Sequence, residues 1–148
     1  MVDEAAYRRT REQAVGLPCV FSGALLSRCA TCELSAKRAL AEREVLTCTQ
    51  PTAHINCETL ERLMHERATF ALRLRPRAPQ THATELRLQS GGLLGLQQVL
   101  AAPVADVHRM VQQAQADYGS LTELPWEPIV ESVKAWQPRK RSAPKPTP

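Results

Sequence analysis

The sequence predicts a mainly α domain with one small β-hairpin near residues 69–89, and three observations lead there. Apolar residues recurring at three- and four-residue intervals mark helices around 53–68, 103–118 and 126–136. Two short runs, TFALRLR and ATELRLQ, alternate every second residue instead. Leu and Ala dominate the apolar set while aromatics make up only 4% of 148 residues, so the core is aliphatic and favours helix.

Taken in order, residues 3–15 mix apolar and charged positions and predict a short helix stopped by Gly16 and Pro18. LPCVFSGALLSRC then carries Cys19 and Cys29 through a Gly-containing turn. ELSAKRALAEREVL, 33–46, consists of strong helix formers, with Glu33 at the positive end of the dipole. TQPT breaks the chain after Cys48. Over 53–68, Cys57, Leu60, Met64 and Ala68 share one face, with Leu63 and Ala71 beside them, so Cys57 points inward.

The period then changes. Phe70, Leu72 and Leu74 alternate with Ala71, Arg73 and Arg75, and Leu86 and Leu88 alternate with Glu85, Arg87 and Gln89. PRAPQTH between them reads as the turn of a hairpin with one buried face, Glu85 offsetting the arginines outside. Such a hairpin is marginal alone and must pack on helices. Gly91-Gly92 turns the chain into the short helix LLGLQQVLA. Pro103 opens the next helix, with Val104, Val107, His108, Val111 and Tyr118 on one face and Gly119 as the stop. Trp126, Ile129, Val130, Val133 and Trp136 repeat the pattern, and no internal repeat is present.

Length and composition fit one soluble domain over 1–137, with its cysteine-rich part at 17–57, and a disordered basic, Pro-rich tail at 138–148. Arg139, Lys140, Arg141 and Lys145 account for the whole net charge of +4, so the body is neutral. That distribution argues against nucleic acid as a partner except through the tail at 139–145. The first residues carry acids and no apolar stretch, and no run reaches membrane-span length. A cytoplasmic location is therefore expected, where clustered cysteines bind metal more often than they form disulfides.

The chemistry resides in Cys19-x9-Cys29-x2-Cys32-x15-Cys48-x8-Cys57. Thiolates suit zinc and iron–sulfur clusters, and a CxxC at a helix N-terminus aims two sulfurs at one point. Zinc asks for two short-spaced pairs, and only His54-x2-Cys57 supplies a second one. A cluster tolerates irregular spacing, although neither the bacterial nor the plant ferredoxin pattern is matched. Cys32, Cys48 and Cys57 are the leading ligands, Cys19 and Cys29 compete for the fourth place, and His54 is a spare ligand or outer-shell donor. One difficulty stands: a straight helix of about 14 residues is roughly 21 Å long and would part Cys48 from Cys32.

The expectation is thus an iron–sulfur protein, of [4Fe–4S] type or related, in electron transfer or redox or oxygen sensing with a protein partner. The alternative is a zinc-stabilised adaptor without redox activity. Thiol redox work lacks a βαβ setting, and inert buried thiols remain the bland reading. Ser22, Ser27, Thr31 and Thr49 are candidate donors to sulfur. His108 reads as a packed core histidine, His65 as solvated among charges, His82 has no partner, and the carboxylates Glu42/Glu44 and Glu58/Glu61 read as ion-pair faces. The glycines make no phosphate loop, so the chain reads as a metalloprotein rather than an enzyme.

Overall fold

The computed structural model describes residues 17–40, 43–73 and 81–138. The predicted helix at 3–15, the link at 74–80 and the tail from 139 lie outside the described residues. The chain runs β1 (Leu17–Pro18), α1 (Ser22–Leu26), β2 (Ser35–Leu40), β3 (Arg43–Cys48), α2 (Pro51–Ala71), α3 (His82–Leu100), α4 (Val107–Tyr118), a 3-10 turn (Leu121–Glu123) and α5 (Trp126–Ala135). The architecture is mainly helical with a small antiparallel sheet, of order β1-β3-β2.

The hairpin lies at 35–48 rather than near 69–89, and this corrects two expectations at once. The described residues of 33–46 form no helix, because Val45, Leu46 and Thr47 can be buried by pairing: Leu46 is 7% exposed and Thr47 2%. In β3, Thr47 faces Ala36 of β2 and Pro18 of β1, so the strand is paired on both edges. Helix propensities differ by a few tenths of a kcal/mol per residue, which such burial outweighs.

The alternating runs are helical in turn. The first three residues of TFALRLR complete α2, Leu72 is its C-cap and Arg73 stands at φ 54° in the left-handed region, while 74 and 75 lie outside the described residues. ATELRLQ opens α3, whose start is fixed by Thr81: its hydroxyl accepts the Thr84 N–H at 3.1 Å. A period-2 pattern only a few residues long is also compatible with one flank of a helix, and the cap decides.

Gly91, Gly92 and Gly95 lie inside α3, not in a turn. A Cβ on Gly91 would stand 2.7 Å from Val133 Cα, and one on Gly95 2.9 Å from Ile129 Cα. The glycines let the α3 and α5 backbones touch. Pro103 precedes rather than opens α4, whose N-cap is Asp106, and Gly119 closes that helix at φ 79° as expected. Leu60, Met64, Leu93, Leu96, Met110 and Ile129 form the shared core of the four long helices. No helix among the described residues is long and apolar enough to cross a membrane.

Candidate metal centre

Four of the five cysteines line one small, partly open cavity. Its walls are Cys19, Cys32, Cys48 and Cys57, with Val20, Phe21, Ser35, His54 and Val107, and it holds about 20 Å³. Cys29 is not among them; its Sγ turns toward the Ser27 carbonyl at 3.9 Å. Of the two cysteines weighed for the fourth place, Cys19 lies on this cavity wall and Cys29 does not.

Each sulfur arrives on a different element. Cys48 ends β3, directly opposite Ser35 of β2 and Leu17 of β1. Antiparallel partners stand about 5 Å apart, so the hairpin removes the roughly 21 Å separation that a helix would have imposed. Cys19 follows β1, its N–H donating to Leu46 O at 2.9 Å. Cys57 lies on the inward face of α2, six residues after Pro51 starts that helix.

Cys32 sits in a loop laced to the start of α4. The Thr31 N–H donates to Ala105 O at 2.9 Å, and the Val107 N–H donates to Thr31 O at 2.8 Å. Asp106, 7% exposed, accepts the Glu33 N–H at 2.9 Å on Oδ2 and the Arg109 N–H at 3.1 Å on Oδ1. One carboxylate therefore caps α4 and fixes the residue after Cys32. Arg109 Nε closes the loop on Glu33 Oε2 at 3.1 Å.

Burial sets the charge state of the sulfurs. It raises the Cys57 thiol to about 12 and the Cys19 thiol to about 11, from an ordinary 9.0. The other sulfurs of the set add a smaller upward push on each, which registers their proximity. Cys32 is also raised by burial, opposed by the N–H groups of Leu34 and His108. The His108 N–H is one of the orphan donors of the first turn of α4, aimed here at sulfur. The Phe21 N–H does the same for Cys19.

The donors to sulfur are therefore backbone amides rather than the hydroxyls named from the sequence. Ser27 Oγ donates to Gly23 O at 2.6 Å and Thr49 Oγ1 to Leu34 O at 2.8 Å. His54 reaches the cavity wall, but its Nε2 donates to Pro18 O at 2.8 Å and its Nδ1 lies 2.7 Å from Glu58 Oε1. With both nitrogens engaged, it tethers β1 to α2 rather than offering a lone pair. Gln89 of α3 holds the following segment, accepting the Ala24 N–H at 3.1 Å and donating to Val20 O at 3.3 Å.

One group that the sequence left as a solvated face comes together elsewhere. Glu61, His65 and Glu85 bring their ligand atoms within 4.8 Å of one another, and among the described residues no set of cysteines does so. The Glu61-x3-His65 spacing was visible in the chain, but Glu85 joins it only through the packing of α3 on α2.

Comparison with known proteins returns no matching family model, no matching curated protein and no matching solved structure.

Proposed function

We propose that Cys19, Cys32, Cys48 and Cys57 hold an iron–sulfur cluster, which the protein uses in the cytoplasm for electron transfer, or for redox or oxygen sensing, toward a protein partner. The observation that carries this reading is the convergence of four cysteines from four separate segments of the chain on one small cavity. Five free thiols accord with a reducing compartment.

Sulfur spacing supports a cluster over a single ion. Tetrahedral zinc at 2.3 Å from each thiolate draws the sulfurs to about 3.8 Å from one another. No cysteine trio among the described residues lies even within 4.8 Å, whereas a core of iron and sulfide spreads its thiolates wider. When bound, the cluster supplies one-electron chemistry. The chain's part is to exclude water with Phe21 and Val107, which are 1% and 2% exposed, and to donate the Phe21, Leu34 and His108 N–H groups to sulfur. Loading displaces the protons that burial holds on Cys19 and Cys57, so uptake is favoured as pH rises.

One observation favours the second reading, a zinc-stabilised adaptor: a cavity of about 20 Å³ takes a single ion more readily than a cluster core. The cluster is preferred because its core asks the thiols only to swing outward on their χ1 torsions, whereas zinc asks every trio to draw in from beyond 4.8 Å to about 3.8 Å.

The deciding experiment is anaerobic purification followed by a visible spectrum with iron, zinc and acid-labile sulfide analysis. Absorption near about 400 nm with iron and sulfide in comparable amounts is expected. It should disappear in Cys57→Ser and persist in Cys29→Ser. One zinc per chain and a featureless spectrum would establish the adaptor instead.

A further inference from the structure

The second cluster of metal-capable side chains lies between α2 and α3, and it shares no residue with the cysteine cavity. Glu61 and His65 stand one turn apart on α2, and Glu85 reaches them from the first turn of α3. His65 Nε2 lies 3.2 Å from Glu61 Oε1, 3.1 Å from Glu85 Oε1 and 3.3 Å from Glu85 Oε2. The side chains are 26%, 27% and 34% exposed for Glu61, His65 and Glu85, sheltered but open to water on one side.

An ion pair alone accounts for this geometry poorly. A single ring nitrogen offers one hydrogen to two carboxylates, and the trio still carries an excess negative charge. Burial raises the Glu61 carboxyl, His65 opposes this, and the Glu85 carboxylate adds to it. A divalent cation bound to neutral imidazole balances both carboxylates.

The distances also suit an ion. Two ligand atoms each about 2.1 Å from a metal stand about 3.0 Å apart at a right angle and about 3.4 Å apart at the tetrahedral angle. The separations of 3.1, 3.2 and 3.3 Å from Nε2 fall inside that window.

We infer that Glu61, His65 and Glu85 form a metal site for one first-row divalent cation, with three protein ligands and the remaining positions left to water or a small ligand. A ligand set of two carboxylates and one imidazole suits Mn²⁺, Fe²⁺ or Zn²⁺, whereas the soft thiolates of the cysteine cavity select differently. The inference stands whether or not the cysteines hold a cluster. Along α2 the two sites are near neighbours, His65 being eight residues and roughly 12 Å of helix beyond Cys57.

Mn²⁺ is the probe of choice, because it prefers oxygen and nitrogen donors to thiolate. The full chain is titrated with Mn²⁺, the free ion is followed by electron paramagnetic resonance, and the bound ion is examined for coupling to an imidazole nitrogen. Saturation at one Mn²⁺ per chain with nitrogen coupling is expected. Glu85→Gln and His65→Gln should each weaken binding by more than about tenfold. Cys32→Ser should leave it unchanged, which separates this result from the fate of the cysteine reading. Binding that does not saturate, that lacks nitrogen coupling, or that survives Glu85→Gln intact would overturn the inference. Should the variants unfold by circular dichroism, the nitrogen coupling in the unaltered chain decides alone.

Discussion

Single residues around the cavity serve two masters, a fact with consequences at the level of one side chain. Asp106 caps α4 and holds the loop of Cys32 through two backbone N–H groups. Replacing it with Ala removes a helix cap and leaves the Glu33 N–H without its acceptor, at a cost of about 2 kcal/mol together. Urea denaturation checks this, and a loss below about 0.5 kcal/mol would refute the double role. Ser90 is the opposite case: it is 2% exposed, and its hydroxyl finds no partner among the described residues. Ser90→Ala removes that burden and gains helix propensity, so a rise in stability of about 1 kcal/mol is expected. The cysteines add a pH dependence to the metal-free protein. Cys19 and Cys57 ionise near 11 and 12 when folded but near 9.0 when unfolded, so the unfolded chain binds fewer protons between those values. Their contribution is complete below pH 9 and is lost as pH climbs from about 9 toward 11. The urea midpoint of the metal-free chain should fall across that window, and a flat or rising profile would contradict the burial of these thiols.

Among the elements, α3 carries the most unexpected packing. Gly is about 1 kcal/mol worse than Ala inside a helix, so propensity alone favours replacing Gly91, Gly92 and Gly95. The neighbours reverse that preference where they are backbone. A Cβ at Gly95 meets Ile129 Cα at 2.9 Å and Ile129 O at 3.1 Å, neither of which can step aside without moving α5. At Gly92 the obstacle is the thioether of Met64, with Sδ at 2.6 Å, and a methionine can rotate away. Gly95→Ala is therefore expected to cost about 2 kcal/mol or more, and Gly92→Ala clearly less. Thermal melts of the two variants provide the comparison, and equal losses would mean that α5 yields as easily as a side chain. The sheet shows the complementary principle: helix-forming residues at 35–40 become a strand because β3 needs a partner on that edge.

Over the whole molecule, the cysteine cavity draws on β1, the loop before β2, β3 and α2, while α2–α5 share a core built of Leu60, Leu96, Met110 and Ile129. Removal of the proposed metal is accordingly expected to loosen residues 17–48 far more than α3, α4 and α5. Amide hydrogen exchange with and without chelation measures this, and uniform loss of protection would make the metal a support of the entire core. The sequence by itself determined what depends on local order: the helix over 53–68 with its inward Cys57, the stop at Gly119, the helix of Trp126, Ile129 and Val133, and the mainly helical class. It also supplied every cysteine of the cavity. What it left open depended on partners distant in the chain. Residues 33–46 have helical composition, and only the pairing of β2, β3 and β1 makes 35–40 and 43–48 strands; residues 83–89 alternate, yet the Thr81 cap and the approach of α5 to Gly91 and Gly95 make them helix. Placing Cys48 beside Cys19 and Cys32, turning Cys29 away and setting Glu85 against His65 were decided by tertiary structure alone, because a side chain's neighbours are fixed by which surfaces bury one another and not by spacing along the backbone.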